Sequence, residues 1–315
     1  MAGQPRKHHY VPQFYLAGFT KDDSKEGRLY VLDKEQRKSW PSTPKGTAHK
    51  RDFHKIEGES GIDPMSVEKS LSQLEGQWSA SLKTVIEKRS LPEDEVFADL
   101  MVFVAFMAVR VLRVRDILSD FIDRVSKAEI QLMLATQEGQ EHFRSTLADL
   151  GHEMSDEDFE QLVAFGQSDD YAVNYEQTWH VQEMIHMAAT LAPLLSLRKW
   201  QLWIADETAP DLICSDSPVA PTWAVPMPVP VSPAFGTPNT IVSVPLNRRM
   251  AMVSMIEEEL PASTLDREGV AAVNSMTAMY ANQLYSSEED SVWTMKDSRV
   301  GDSAQLLDAL RKQEA

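Results

Sequence analysis

A chain of 315 residues is long enough to bury a sizeable core in one large domain or two modest ones, and its 43% hydrophobic and 25% charged residues place it among ordinary globular proteins. A formal net charge of -17 excludes a surface uniformly attractive to nucleic acid, and a single cysteine excludes an internal disulfide and fits a reducing compartment. The longest apolar run, Leu100 to Val109, is half a membrane span, and no apolar run succeeds the basic start. Neither a spanning helix nor a secretory signal is therefore expected, and the chain reads as a soluble cytoplasmic protein with no membrane partner.

The charge is unevenly spread. Residues 1–55 carry 12 Lys+Arg against 6 Asp+Glu, whereas the remainder carries 19 against 42. The same segment holds His8, His9, His49 and His54, so an anionic partner, nucleic acid or a nucleotide, is expected to meet the chain there. Pro12 suits a first helical turn, with Tyr15, Leu16 and Phe19 following at helical spacing. "RLYVLDK" alternates as a strand, and "HKRDFHKIE" predicts a second short one after a loop with Pro41, Pro44 and Gly46.

From Pro64 to about Lys88 the residues Val67, Leu71, Leu74, Trp78, Leu82 and Val85 keep a helical period. A second helix is expected with Ser90 as cap and Pro92 at its start, running to Val114. Ser155 caps a further helix ending near Gly166, and "NYEQTWHVQEMIHMAATLAPLL" is another, kinked or ended near Pro193. In the last third "RKWQLWIAD" and "DLICSDSPV" read as strands, and "TIVSVPLN" with "RMAMVSMI" as a hairpin around Asn247 and Arg248. The proline-rich stretch 217–240 reads as a loop able to meet a protein partner, "LDREGVAAVNSMTAMYANQLY" as a closing helix, and the residues after Ser286 as a loosely held polar tail.

The expected fold is α+β, with a predominantly helical middle, a small N-terminal β-element and a C-terminal antiparallel sheet. A single domain is expected over 1–290, made of a basic His-rich segment 1–60, a helical bundle 64–195, and strands with a closing helix over 198–285. A polar tail covers 291–315.

"KHHYVPQFYL" is the first candidate site. A helix starting near Pro12 would present free N–H groups and a positive dipole end to an anion, and would keep a nearby imidazole neutral, as a general base or metal ligand requires. Against that, adjacent residues on a strand face opposite ways, so one histidine can pack while the other faces solvent. "CSDSPV" is the second candidate: Asp216 before Pro218 is placed to bind a metal, to orient His9, or to accept N–H groups in a turn. Arg110 interrupts an apolar helix, which calls for a buried carboxylate such as Asp216 or a substrate anion. Cys214 reads as a small core residue, and His49 and His54 as solvated.

"KHHYVPQFYLAGF", "RLYVLDK", Arg110 in "FMAVRVLRVRD", "RKWQLW" with "LICSDSPV", and the late "VPLN" together resemble the bacterial domain-of-unknown-function family 4238. Its members pair an opening H-H-x-x-P-Q-x-Y-L with a later S-D-N-P-V. The resemblance covers His8 to about Tyr285, with Ser217 where the family usually has asparagine. "HHYVPQFYL" also looks like the D-H-x-x-P-Q-x-x-L signature of some HNH nucleases of the His-Me finger class. That likeness implies His9 as base and His8 in place of a metal-binding carboxylate; His49, Asp52 and His54 are the only nearby substitutes for the rest of such a finger.

The leading expectation is a metal-dependent, nuclease-like hydrolase of a phosphodiester. In it His9, Arg110 and Asp216 are catalytic, Lys7, Gln13 and Tyr15 contact substrate, and His8 with Asp216 ligates Mg²⁺ or Mn²⁺. The alternative is a non-enzymatic binding or sensing module, such as a component of a bacterial defence or toxin system. The overall acidity favours that alternative, because a protein of this charge is repelled by a polyanion.

Overall fold

A computed structural model describes residues 7–56, 63–225, 231–295 and 298–311. In chain order the first elements are β1 (Lys7–His9), α1 (Gln13–Ala17), β2 (Leu29–Asp33), β3 (Lys38–Ser42) and β4 (His49–Arg51). The helices α2 (Ser66–Lys88), α3 (Glu95–Val109), α4 (Leu112–Leu134), α5 (Gln137–Asp149), α6 (Asp156–Gly166) and α7 (Gln177–Ser196) come next. The last third holds β5 (Lys199–Ala205), β6 (Cys214–Ser215), β7 (Ala220–Trp223), β8 (Thr240–Asn247), β9 (Met250–Met255), β10 (Ser263–Leu265) and α8 (Arg267–Ala278). It closes with β11 (Gln283–Ser286), β12 (Trp293–Thr294), β13 (Val300–Gly301) and α9 (Ser303–Arg311). The fold is α+β.

The chain divides into two compact units, residues 113–176 forming one and the remainder the other. In the smaller unit Ser155 caps α6 by accepting the N–H of Asp158 at 3.2 Å, as its sequence predicts, and Leu134 and Phe159 are buried.

In the larger unit α2 buries Leu71, Trp78, Leu82 and Val85 along one stripe, while α3 from Leu100 to Val109 is apolar throughout and buried at every position but Val102. The cap of α3 is Asp94, which accepts the N–H of Val96 at 3.0 Å, and not Ser90 as expected. A carboxylate one residue before the first helical turn satisfies a free N–H and suits the helix dipole. The expected run to Val114 is broken at Arg110 and Val111, between α3 and α4.

Two sheets organise the rest. One has the order β10-β5-β9-β8-β7, antiparallel except for β10 against β5, and contains the expected hairpin β8–β9. β7, within the proline-rich 217–240, is its edge strand, where a proline N–H is not missed; residues 226–230 of that stretch lie outside the described residues. The other sheet has the order β3-β2-β11-β6 and ties the N-terminal segment to the C-terminal third. Its β11, read from sequence as the end of a helix, is a central strand pairing Tyr285 with both Val31 and Cys214. The tail is also held: Trp293 is buried, and Leu306 and Leu307 pack against its cluster.

Candidate functional site

β1 and β4 form a two-stranded ribbon in the register Lys7↔Arg51, His8↔Lys50 and His9↔His49. Cross-strand partners share a face and neighbours alternate. One face therefore carries Lys7, His9, His49 and Arg51, and His8 turns to the other. This alternation explains why two histidines stand side by side: His8 is 0% exposed, while His9 is half-buried with its ring 5.4 Å from that of His49. The backbone on either side of β4 is left-handed, with φ 51° at Ala48 and φ 55° at Asp52. The second of these turns the chain so that His54 comes back over His8.

Behind the ribbon, His8 Nδ1 accepts the backbone N–H of His54 at 2.9 Å, and the two rings stack at 5.6 Å. Nδ1 of His54 lies 2.8 Å from Oε2 of Glu68, and Nδ1 of His8 lies 3.6 Å from the same oxygen. His54 is 1% exposed, so the expectation of a solvated residue is overturned. Burial pushes its pKa down to about 4 against the opposing hydrogen bond from Glu68. Burial acts to raise the carboxyl of Glu68, but the hydrogen bond and charge of His54, then His8 and Arg110, hold it below its usual value. His9 is likewise lowered to about 4, first by burial and then by His49. Burial, and not a helix dipole, keeps these imidazoles neutral, because α1 is only five residues long.

Arg110, 1% exposed at the end of α3, grips the ribbon. Its Nε donates to the carbonyl of Tyr10 at 3.1 Å, and its Nη2 to the carbonyl of His9 at 2.7 Å and to Glu75 Oε1 at 2.8 Å. The carboxylate that pairs with it is thus Glu75, itself partly exposed, and not Asp216. Among the described residues four buried polar atoms of this cluster have no hydrogen-bond partner: Nε2 of His8, Nε2 of His9, Nε2 of His54 and Nη1 of Arg110.

The other expected site residues divide. Gln13 Nε2 lies 3.3 Å from His9 Nδ1, so it belongs to the cluster, and Lys7 is exposed at the ribbon's edge. Tyr15 is a correction: it is fully buried, and its hydroxyl donates to the carbonyl of Pro245, which makes it a core residue out of substrate's reach. Asp216 is a second correction. Its Oδ1 accepts the N–H of Asn282 at 3.0 Å, and its N–H donates to Gln283 at 3.0 Å, so it fastens β6 to the turn before β11. None of its contacts among the described residues joins it to His8, His9 or Arg110, and burial raises its pKa to about 6. Cys214 is buried in the core as expected, with its thiol pushed up by burial.

Glu68 and Glu75 were missed, yet they left a signal. They stand seven residues apart on α2, within the stripe otherwise held by Leu71, Trp78, Leu82 and Val85. Two carboxylates on the buried face of an amphipathic helix call for buried partners. A cavity of about 890 Å³ lies elsewhere, along β5 and β10, but its lining includes Glu93, Asp206, Glu207 and Glu259 and would repel a phosphate.

No helix among the described residues is long and apolar enough to cross a membrane. A family model described as a protein of unknown function (DUF4238) matches residues 7–290. No curated protein and no solved structure matches the chain.

Proposed function

We propose that the chain, which belongs to the DUF4238 family, is a phosphodiester hydrolase that receives its substrate on the outer face of the β1–β4 ribbon. One observation carries this reading: the register sets Lys7, His9, His49 and Arg51 on a single face, two imidazoles flanked by two cations. Such a face meets phosphate oxygens with Lys7 and Arg51, and places His9 to take the proton of an attacking water. As the water oxygen bonds to phosphorus the ester bond breaks, and the leaving oxygen takes up a proton from solvent. Arg110 acts from behind, fixing His9 through its backbone carbonyl, and so serves as a positioning residue here and not as the anion clamp its sequence setting implied.

A panel of single-stranded DNA, RNA, cyclic nucleotides and an activated aryl phosphodiester tests this. Wild-type protein should turn over at least one of them, and His9→Ala should lower kcat by about 100-fold or more while leaving Tm unchanged. Absence of turnover across the panel sinks the hydrolase reading. A second reading, a binding or sensing module without catalysis, draws support from the net charge of -17, which opposes a long polyanion. It expects saturable binding of a short phosphodiester to wild type, no turnover, and loss of that binding on Lys7→Ala.

A further inference from the structure

We infer that His8, His54 and Glu68 form a binding site for a single divalent transition ion of the zinc class, held by two imidazole nitrogens and one carboxylate oxygen. Each residue presents one such atom, and these atoms all lie within 4.8 Å of one another. The inference goes beyond the hydrolase reading, since it assigns no role to His9 and holds whether or not the protein turns over a substrate.

The geometry suits an ion more than a closed hydrogen-bond network. Tetrahedral bonds of about 2.0–2.1 Å set ligand atoms roughly 3.3 Å apart. The measured separations from Glu68 Oε2, 2.8 Å to His54 and 3.6 Å to His8, bracket that value. An ion here takes the place of the proton shared by His54 Nδ1 and Glu68. Hydrogen bonding alone leaves the cluster unsatisfied: Nε2 of His8 and Nε2 of His54 are buried without partners, and a buried unpaired polar atom is costly. Ligation through Nδ1 of His8 requires that nitrogen to give up the His54 N–H it accepts at 2.9 Å.

The carboxylate supplies the way in. Glu68 is the one member in contact with solvent, its side chain 26% exposed, so an ion enters past it and keeps a water there. The two histidines come from β1 and from the turn after β4, and the glutamate from α2, so the ion would fasten the ribbon to the helical core. The donor set also selects the metal. Two imidazoles and one carboxylate suit zinc and its neighbours, whereas Mg²⁺ prefers an all-oxygen octahedron.

The test uses the full chain, stripped with a chelator, dialysed and titrated with Zn²⁺, Co²⁺ or Mg²⁺ alone. Elemental analysis should find one zinc per chain, Tm should rise with zinc concentration, and Mg²⁺ should do neither. Glu68→Gln and His54→Ala should each weaken zinc binding at least about 10-fold, and the visible absorption of bound Co²⁺ should fade in both. His186→Ala, at an exposed histidine on α7, should bind as wild type. If His54→Ala fails to fold, Glu68→Gln decides, because it is nearly isosteric and partly exposed. Substoichiometric uptake, equal uptake by Glu68→Gln, or an equal response to Mg²⁺ would each overturn the assignment. Zinc binding without turnover removes the hydrolase reading alone; turnover without zinc binding removes this site alone.

Discussion

Two segments of this chain set charged or titratable groups just before a proline, "KHHYVP" near the start and "CSDSPV" in the last third, and the fold treats them in opposite ways. At Asp216 the acceptors are filled by backbone: Asn282 donates to its carboxylate, and the N–H of Ser217 donates to Ser215 Oγ at 3.1 Å. Around His8 and His9 the backbone is just as well held, by Arg110 and by the ladder to β4, yet buried side-chain atoms are left over. A polar group whose partners are all backbone is fixing the fold. A cluster of buried groups left without partners calls for an explanation that the fold alone does not supply.

The contrast is broken most severely at Arg110. Replacing it with alanine leaves Glu75 and the carbonyls of His9 and Tyr10 unpaired, a change expected to cost about 3–5 kcal/mol. Denaturant unfolding should show that loss, and Arg110→Lys should recover only part of it, because an ammonium cannot hold three acceptors as the planar fork does. A loss under about 1 kcal/mol would mean that the ribbon is anchored elsewhere.

Asp216 provides the next largest effect and is read by pH. Its folded pKa is raised to about 6 by burial, so the folded state holds a proton that the unfolded state releases near pH 4. The stability it contributes is therefore complete below about pH 4 and is lost as pH rises through about 6, on the order of 3 kcal/mol in all. Asp216→Asn should flatten this slope while leaving zinc uptake and any turnover as in wild type. A change in either would return Asp216 to the site.

Lys7 and Arg51 give the smallest structural effect and the sharpest functional contrast. Both are exposed, so alanine at either should alter stability by less than about 0.5 kcal/mol. Binding of a short phosphodiester should nonetheless weaken, and the dependence of its log Kd on log salt should fall by roughly one unit of slope per cation removed. An unchanged slope would show that the outer face of the ribbon does not meet phosphate.

Most of the helices were legible because their signals are local. The stripe of α2, the Ser155 cap and the β8–β9 hairpin each arise from spacing within a few residues. Where the reading failed, distance was the reason. β11 has Leu284 and Tyr285 both buried, so no alternation marked it, and only its pairing with β2 and β6 makes it a strand. His54 looked like a solvated residue of a basic loop because its burial is imposed by α2, reached only after residues 57–62 of intervening chain.

By itself the sequence determined that the N-terminal segment is the basic one, that His8 and His9 face opposite ways if that segment is a strand, and that an arginine interrupting an apolar helix calls for a buried carboxylate or a substrate anion. Those conclusions need only composition, a two-residue period and the cost of burying a charge. Tertiary structure decided which carboxylate answers Arg110, that His54 and not Asp216 joins His8, and that Glu68 completes the group. These are pairings between residues far apart in the chain, settled by how a helix face and a ribbon meet, and no local pattern encodes that meeting.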